Sequence, residues 1–416
     1  MACNGYQTST SSGGDRKHPG SLLGVIVCVV LALTACGGGD GNSDDSGAAN
    51  ASSSSAEWGT AAAIGTETPS AVSPQVAVDG SGNAMAVWQQ QDGDRYSIRA
   101  RRYHAASGEW GDAEVMETVA LEAFTPKVAM APGGNAAVVW LHYDGDRYQV
   151  WVKRYDAAAA KWSDAQLIST TVLTSARAAR ADIDDRGNAV VVWYQENGGR
   201  YGVWAGHYDS TGGWSREVRL DMNTGIALFP RVAMDGRDNA IVVWYQEDGS
   251  RNNVWANRYD SVSGWNGAEL IESSALDASA PQVAMSANGD GMALWYGWDG
   301  ARYVLWANRF SGSAKRWGTA EIIEADNAGA ALDAQVTMDG DGNAIVAWQT
   351  HNGTLRTLWT KRYDTVFGWG ISQLIETVEA GFAERPQLAI DSDGDVMAVW
   401  AQSDGSGSNV WANQFN

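Results

Sequence analysis

The residues with the clearest chemical potential are tryptophans that recur along the chain. Of the 21 tryptophans, 20 fall into three series with steps of 51 to 53 residues. An indole face can stack on the C–H face of a pyranose, and the second series suits this because it lies beside turn sequences. The alternative role is packing between repeats, which we favour for the other two series. The candidate sugar-stacking residues are Trp110, Trp162, Trp214, Trp265, Trp317 and Trp369.

A second set of candidates consists of arginines that follow recurring Asp-Gly or Asn-Gly pairs. A guanidinium group binds anions and hydroxyl groups, so these arginines could form ligand contacts on one rim of the molecule. The alternative, which we favour, is a structural arginine that bonds the turn aspartate or a backbone carbonyl. The residues are Arg95, Arg147, Arg200, Arg251 and Arg302.

Two aspartate-rich turns resemble the start of a calcium-binding D-x-D-G-D loop. Oxygen ligands at alternate positions suit Ca²⁺, which would be the only cofactor. The equivalent turns of other repeats lack the pattern, and no glutamate follows at EF-hand spacing, so we favour an ordinary turn. The candidate ligands are Asp339, Asp341, Asp391, Asp393 and Asp395.

Sequence signatures of catalysis are absent. The four histidines after the N-terminal segment share no repeat position, and there is no H-E-x-x-H, G-x-S-x-G, P-loop or sialidase Asp-box sequence. A catalytic site needs unlike residues from several repeats, whereas these repeats are regular. The sequence therefore predicts a binding protein rather than an enzyme, with a polysaccharide-acting hydrolase or lyase as an alternative.

The repeats predict the elements that position these residues. Each holds four short runs rich in β-branched and aromatic residues, separated by turns that contain Asn, Asp and Gly. Seven such units of about 50 residues predict an all-β, seven-bladed β-propeller of four-stranded antiparallel blades over residues 58–416. Residues 58–64 form a spare fourth-strand sequence, and 386–416 lack one. We therefore predict a 3+1 clasp between these two segments.

One position in the first strand of each repeat carries a long polar side chain. In a propeller the first strand lines the central channel, so these seven residues would ring one of its mouths. The ring is either a ligand site or a hydrated channel lining. Its members are Gln75, Lys127, Arg180, Arg231, Gln282, Gln335 and Gln387.

The N-terminal segment carries a targeting pattern. Basic residues precede an apolar run from Leu22 to Leu33 that is too short for a stable membrane-spanning helix. The run ends in Leu-Thr-Ala-Cys, which resembles a bacterial lipobox. The resemblance implies that residues 1–35 are removed as a signal peptide and that Cys36 is lipidated. Gly37 follows it instead of the inner-membrane retention aspartate, which favours the outer membrane, and residues 36–57 would form a Gly/Ser/Asp-rich tether.

The net charge of −20 excludes nucleic acid as a partner. The period and strand pattern of residues 58–416 resemble bacterial propeller proteins of the seven-bladed lectin type and propeller-repeat lipoproteins. We therefore predict a lipid-anchored, extracytoplasmic binding protein for a glycan or protein ligand. The alternative binding role is a periplasmic scaffold of an envelope assembly complex.

Overall fold

The structure is a computed structural model of the 416-residue chain. It describes residues 63–65, 70–118, 122–170, 174–222, 224–274, 277–324, 329–351, 356–376, 382–390, 394–403 and 408–415. The predicted signal peptide, the tether and Cys36 lie outside these ranges. Within them, no helix is long and apolar enough to cross a membrane.

The described residues form seven blades, numbered in chain order. Blade 1 has β1 (Ala71–Val78), β2 (Ala84–Asp92), β3 (Arg95–His104), β4 (Glu109–Trp110) and β5 (Glu114–Val115). Blade 2 has β6 (Glu122–Met130), β7 (Ala136–Tyr143), β8 (Tyr148–Asp156), β9 (Lys161–Trp162) and β10 (Gln166–Leu167). Blade 3 has β11 (Ala176–Ile183), β12 (Ala189–Asn197), β13 (Arg200–Asp209), β14 (Gly213–Trp214) and β15 (Val218–Arg219). Blade 4 has β16 (Ala227–Met234), β17 (Ala240–Glu247), β18 (Asn252–Asp260) and β19 (Gly264–Leu270).

The remaining blades follow the same order. Blade 5 has β20 (Asp277–Met285), β21 (Gly291–Trp298), β22 (Tyr303–Ser311), β23 (Arg316–Trp317) and β24 (Glu321–Ile322). Blade 6 has β25 (Ala330–Met338), β26 (Ala344–His351), β27 (Arg356–Asp364), β28 (Gly368–Trp369) and β29 (Gln373–Leu374). Blade 7 has β30 (Ala383–Ile390), β31 (Val396–Ser403) and β32 (Ser408–Phe415).

Each blade is an antiparallel sheet, which confirms the predicted seven-bladed β-propeller. The first strand is innermost, and in blades 1, 2, 3, 5 and 6 the outer strand consists of two short pieces that pair with the third strand. The innermost strands line the channel, and each contacts the innermost strand of the next blade from blade 1 through blade 7. All side chains at the ring position are therefore brought to the channel.

The hydrophobic core lies between the blades. Trp140 of blade 2, for example, is fully buried in a cluster with Met85, Val87 and Ile98 of blade 1. The first tryptophan series is buried in every blade, as the packing interpretation predicts. In blades 2 to 7 a tryptophan of the third series pairs with it across the sheet, as Trp204 does with Trp193, whereas Arg99 takes this place in blade 1.

The recurring Asp-x-x-Gly-Asn turns join the first two strands and also contact the third. In blade 3, Asp184 Oδ1 accepts the backbone N–H groups of Arg186 and Asn188 at 2.9 and 2.8 Å. Gly187 takes a φ of +81°, which glycine adopts without strain. Asn188 Oδ1 then accepts the N–H of Ser210 after the third strand, at 2.8 Å. The motif therefore has a structural role in the turns.

The predicted clasp is only partly within the described residues. Residues 58–62 lie outside them, and blade 7 has three strands in the described part of the chain. The Ile64 carbonyl accepts a hydrogen bond from Arg101 of blade 1 at 3.0 Å. Ile375, at the repeat position equivalent to Ile64, is bonded in the same way by Asn413 of the next blade at 2.9 Å. Ile64 thus has the contact of a fourth-strand residue, while the clasp itself stays a prediction.

Candidate ligand-binding site

The six candidate sugar-stacking tryptophans lie on the outer rim of the blades. Each is half-buried and packs at ring-centroid distances of 5.3–5.5 Å against an aromatic residue of its own third strand. Trp162 packs in this way on Tyr155, and Trp317 packs on Phe310. One surface of each indole is therefore already engaged within its blade.

Four of these six indoles, including Trp317 through Glu269, also bond the preceding blade. Trp162 Nε1 donates to Glu114 at 3.0 Å, and Trp369 Nε1 donates to Glu321 at 2.8 Å. Trp214 bonds Gln166 at 2.7 Å in the same way. These contacts give the second tryptophan series a structural role between outer strands. Whether the remaining indole faces stack on sugars stays a prediction.

The candidate arginines lie at the end of the blades that carries the turn between the second and third strands, here named the Asp-Gly face. Four of them reach the aspartate of their own turn at 3.5–3.9 Å. Arg251 and Arg302 also donate to the backbone carbonyls of Ser274 and Gly329, both at 2.6 Å. These contacts agree with a structural role for the arginines, in which each bonds the turn aspartate or a backbone carbonyl. Arg200 differs because it follows Asn197 and is exposed.

The first of the two aspartate-rich turns has its leading carboxylate occupied by hydrogen bonds within the turn. Asp339 Oδ1 accepts the N–H groups of Asp341 and Asn343 at 3.0 and 2.9 Å, and its Oδ2 accepts the Asn343 amide at 2.7 Å. Asp391 and Asp393 lie outside the described residues, whereas Asp395 lies within them. No group of three or more possible metal ligands occurs in the part of the chain that the structure describes. A calcium role stays a prediction.

The channel ring has one member in each of the seven blades, and its members from blades 2 to 5 interact with one another. Arg231 Nε donates to Gln282 Oε1 of the next blade at 3.2 Å. The positive charges of Arg180 and Arg231 both lower the pKa of Lys127, although these arginines lie one and two blades away. The ring is also uneven. Its three cations occupy consecutive blades 2, 3 and 4, whereas the other four positions are glutamines.

We name Lys127, Arg180 and Arg231 the basic half-ring. All three are partly buried, and in the described part of the chain none forms an ion pair with a carboxylate. Burial, together with the charges of the two arginines, lowers the pKa of Lys127 to about 8. Burial also lowers the pKa of both arginines, which nevertheless stay charged. Arg231 Nη1 is buried with no hydrogen-bond partner among the described residues.

One carboxylate lies near the half-ring in sequence but is directed elsewhere. Asp182 follows Arg180 by two residues on β11, and its Oδ2 accepts the backbone N–H of Met234 in blade 4 at 2.7 Å. Burial raises the pKa of Asp182 to about 6, and the N–H groups of Met234 and Ile183 lower it less. Asp182 thus joins blades 3 and 4 without pairing with the cations.

Aromatic side chains from blades 3 and 4 form a group beside the half-ring on the Asp-Gly face. Phe229 lies 5.4 Å from Tyr194 and 5.8 Å from Tyr245 between ring centroids, and Tyr194 lies 5.5 Å from Tyr201. Only Pro230 separates Phe229 from Arg231 of the half-ring. We name these four residues, Tyr194, Tyr201, Phe229 and Tyr245, the aromatic group.

Blade 3 adds further positive charge at this end. Arg177 is exposed, and its guanidinium carbon lies 6.0 Å from the centre of the Tyr201 ring. Arg200 is exposed beside the Asn-Gly turn of the same blade. Cationic and aromatic groups therefore converge on blades 2 to 4, which can bind an anion through hydrogen bonds and a planar or cyclic group through stacking.

Sequence reasoning placed the ring but missed its asymmetry. The signal was present in the order Gln, Lys, Arg, Arg, Gln, Gln, Gln around the blades. The aromatic group was missed altogether. Its sequence signal is a tyrosine directly after the buried tryptophan, as in Trp193-Tyr194 and Trp244-Tyr245, where blades 1 and 6 have glutamine.

No protein-family model matches the chain, and no curated protein matches it by sequence. Among solved structures, it is similar to a polysaccharide lyase of family PL25, an ulvan lyase, with 10% identity over 80% of this chain and 90% of that chain and a TM-score of 0.51. An ulvan lyase bound to -[GlcA(1-4)Rha3S]- has the same identity and coverage and a TM-score of 0.50. An α-L-arabinofuranosidase from Fusarium graminearum is 11% identical over 83% of this chain and 93% of that chain, with a TM-score of 0.46. At these identities the likeness shows the β-propeller fold alone.

Proposed function

We propose that this chain is a lipid-anchored, extracytoplasmic binding protein that takes an acidic glycan at the channel mouth of blades 2 to 4. The observation that carries the proposal is the basic half-ring. Three partly buried cations lie on consecutive blades, and none has a carboxylate partner within the described residues. The lipid anchor rests on the lipobox resemblance at Cys36 and the outer-membrane location on Gly37.

The half-ring disfavours folding in the absence of a ligand. Burial of a cation costs solvation energy, and neighbouring like charges add repulsion. The other blades fill the same position with neutral glutamine, so the fold itself does not require the charges. An anion in the channel mouth would relieve both costs, and its hydrogen bonds would be strengthened by the low-dielectric surroundings.

An acidic glycan fits the site better than other polyanions do. The chain as a whole has a net charge of −20, so the surface outside the half-ring repels a densely charged polymer such as nucleic acid. A uronic-acid or sulfated glycan has charges that are more widely spaced along its length. Its sugar rings also suit the adjacent aromatic group.

Binding to purified protein tests the proposal directly. Titration calorimetry would use ulvan oligosaccharides as the acidic probe, chosen for the likeness to ulvan lyases, and a neutral oligosaccharide of equal length. Replacing Arg231 by Gln removes charge-assisted hydrogen bonds of about 1.5–3 kcal/mol, so we expect about 10- to 100-fold weaker binding. Arg186→Gln is the matched control, because Arg186 is exposed in a turn at the opposite end of blade 3.

Other outcomes of these experiments would contradict the proposed site or favour one of the alternative functions. Equal binding of acidic and neutral probes, or equal loss in Arg231→Gln and Arg186→Gln, would contradict a charge-specific channel site. Cleavage of the acidic probe would establish the alternative of a polysaccharide-acting lyase or hydrolase. Absence of any glycan binding, with an envelope protein cross-linked to the blades, would favour the assembly-scaffold alternative.

A further inference from the structure

Phe229 occupies a position where an aromatic residue is unfavourable for folding. Its φ is +52°, in the left-handed region that bulky L-residues rarely adopt. Its side chain is also 43% exposed. The residue lies in the β-bulge of β16, where the pairing with β17 shifts between Leu228 and Arg231.

The same bulge recurs in every blade, which shows what the fold alone requires. A non-glycine residue with φ between +49° and +59° stands there in the other six blades. None of those residues is aromatic: they are Ser73, Thr125, Ala178, Ala280, Asp333 and Arg385. Because all seven blades have the positive φ, this backbone conformation belongs to the fold, and only the aromatic side chain distinguishes blade 4. The phenylalanine is therefore particular to blade 4 and is not a requirement of the propeller.

We infer that Phe229, held between Tyr194 and Tyr245, is a stacking platform for a sugar ring whose acidic substituent reaches Arg231. The inference rests on the proposed function and specifies its ligand as a pyranose chain that carries carboxylate or sulfate groups. Phe229 is 43% exposed, and an exposed aromatic ring can stack on the C–H face of a pyranose. Tyr194 and Tyr245 limit the movement of the ring, because their centroids lie 5.4 and 5.8 Å from it.

The spacing of the two residues agrees with this ligand. Phe229 and Arg231 are two residues apart, which spans at most about 7 Å of chain. That distance is comparable to one sugar unit, so a ring on Phe229 can present its own substituent or its neighbour's to the guanidinium. Arg231 Nη1 is buried and has no hydrogen-bond partner among the described residues, so its N–H groups gain a partner when a bound acidic substituent draws the guanidinium toward the channel.

The test separates stacking from charge. Phe229→Ala should weaken binding of an ulvan oligosaccharide about tenfold, while Phe229→Tyr should retain it. Affinity for inorganic sulfate, which has no ring, should change less than twofold in Phe229→Ala.

Val262→Ala is the control, because Val262 is 94% exposed in a turn at the opposite end of the same blade. Phe229→Gly should show the same loss with unchanged or higher thermal stability, because glycine adopts a positive φ freely.

The outcomes distinguish the platform from the proposed function. If Arg231→Gln loses the oligosaccharide but Phe229→Ala keeps it, the platform is wrong and the acidic-glycan site stands. If the wild type binds no acidic oligosaccharide, the proposed function fails and the platform fails with it. If a single-stranded oligonucleotide binds as tightly as the oligosaccharide and needs Phe229 equally, the assignment to sugar rings is wrong.

Discussion

Replacing Lys127 by methionine should stabilise the fold while it weakens ligand binding. Methionine has a similar length and no charge, so it removes the burial cost of the ammonium group and its repulsion by Arg180 and Arg231. A residue that serves folding would show the opposite effect on stability. The prediction therefore separates a functional cation from a structural one.

The size of the effect follows from the pKa of Lys127. A fall from the ordinary value of 10.5 to about 8 corresponds to about 3 kcal/mol against the charged form. Because the side chain keeps some contact with solvent, we expect a gain of about 1–2 kcal/mol in the free energy of unfolding at pH 7.

The pH dependence of this gain has a definite sign. Below pH 8 Lys127 is charged in the folded and unfolded protein, so the whole cost is present. Between pH 8 and 10.5 the folded protein has lost the proton and the unfolded chain keeps it, so wild-type stability rises with pH. The advantage of Lys127→Met should therefore shrink over this interval.

Denaturant unfolding of both proteins at pH 7 and pH 10 measures this difference. Gln335→Met, at the equivalent position of blade 6, controls for the apolar side chain itself, whereas Gln282 is unsuitable because it accepts a hydrogen bond from Arg231. A variant that is less stable than the wild type at pH 7, or a difference that does not change with pH, would refute the reasoning.

Three further predictions concern pH and contacts between blades. Affinity of the wild type for an acidic oligosaccharide should fall above pH 8, because Lys127 must then take up a proton to bind it; calorimetry at several pH values should show a flatter profile in Lys127→Met. Asp182→Asn should raise the free energy of unfolding by about 1–2 kcal/mol at pH 7 but not at pH 4, because the buried carboxylate is charged only above pH 6 or so. Trp162→Phe should cost about 1 kcal/mol in denaturant unfolding through the lost bond to Glu114, whereas Trp265→Phe, whose indole has no such bond among the described residues, should cost less than half as much.

The fold could be predicted from the sequence because the same pattern of strands and turns recurs in seven repeats. The spacing of the buried tryptophans, together with the turns that contain Asn, Asp and Gly, predicts four strands in each unit. Each unit can bury its apolar faces only against the neighbouring units. Trp140 and Trp193 are fully buried as the pattern predicts.

The site was less predictable because it depends on which blades are neighbours in space and on where side chains point. Lys127, Arg180 and Arg231 are about 50 residues apart in sequence and meet only in the channel. Phe229 was not identified because its importance arises from its φ and exposure, which the residue type does not reveal. The tryptophans of the second series drew attention to sugar stacking, but their N–H groups mostly bond the preceding blade.

The most direct test is a crystal structure of the protein with an acidic oligosaccharide bound. The account predicts a carboxylate or sulfate oxygen within hydrogen-bond distance of Arg231 and a sugar ring stacked on Phe229 at the channel mouth of blades 2 to 4. An oligosaccharide seated instead on the outer rim, against Trp162 or Trp214, would contradict it and support the second tryptophan series as the binding surface.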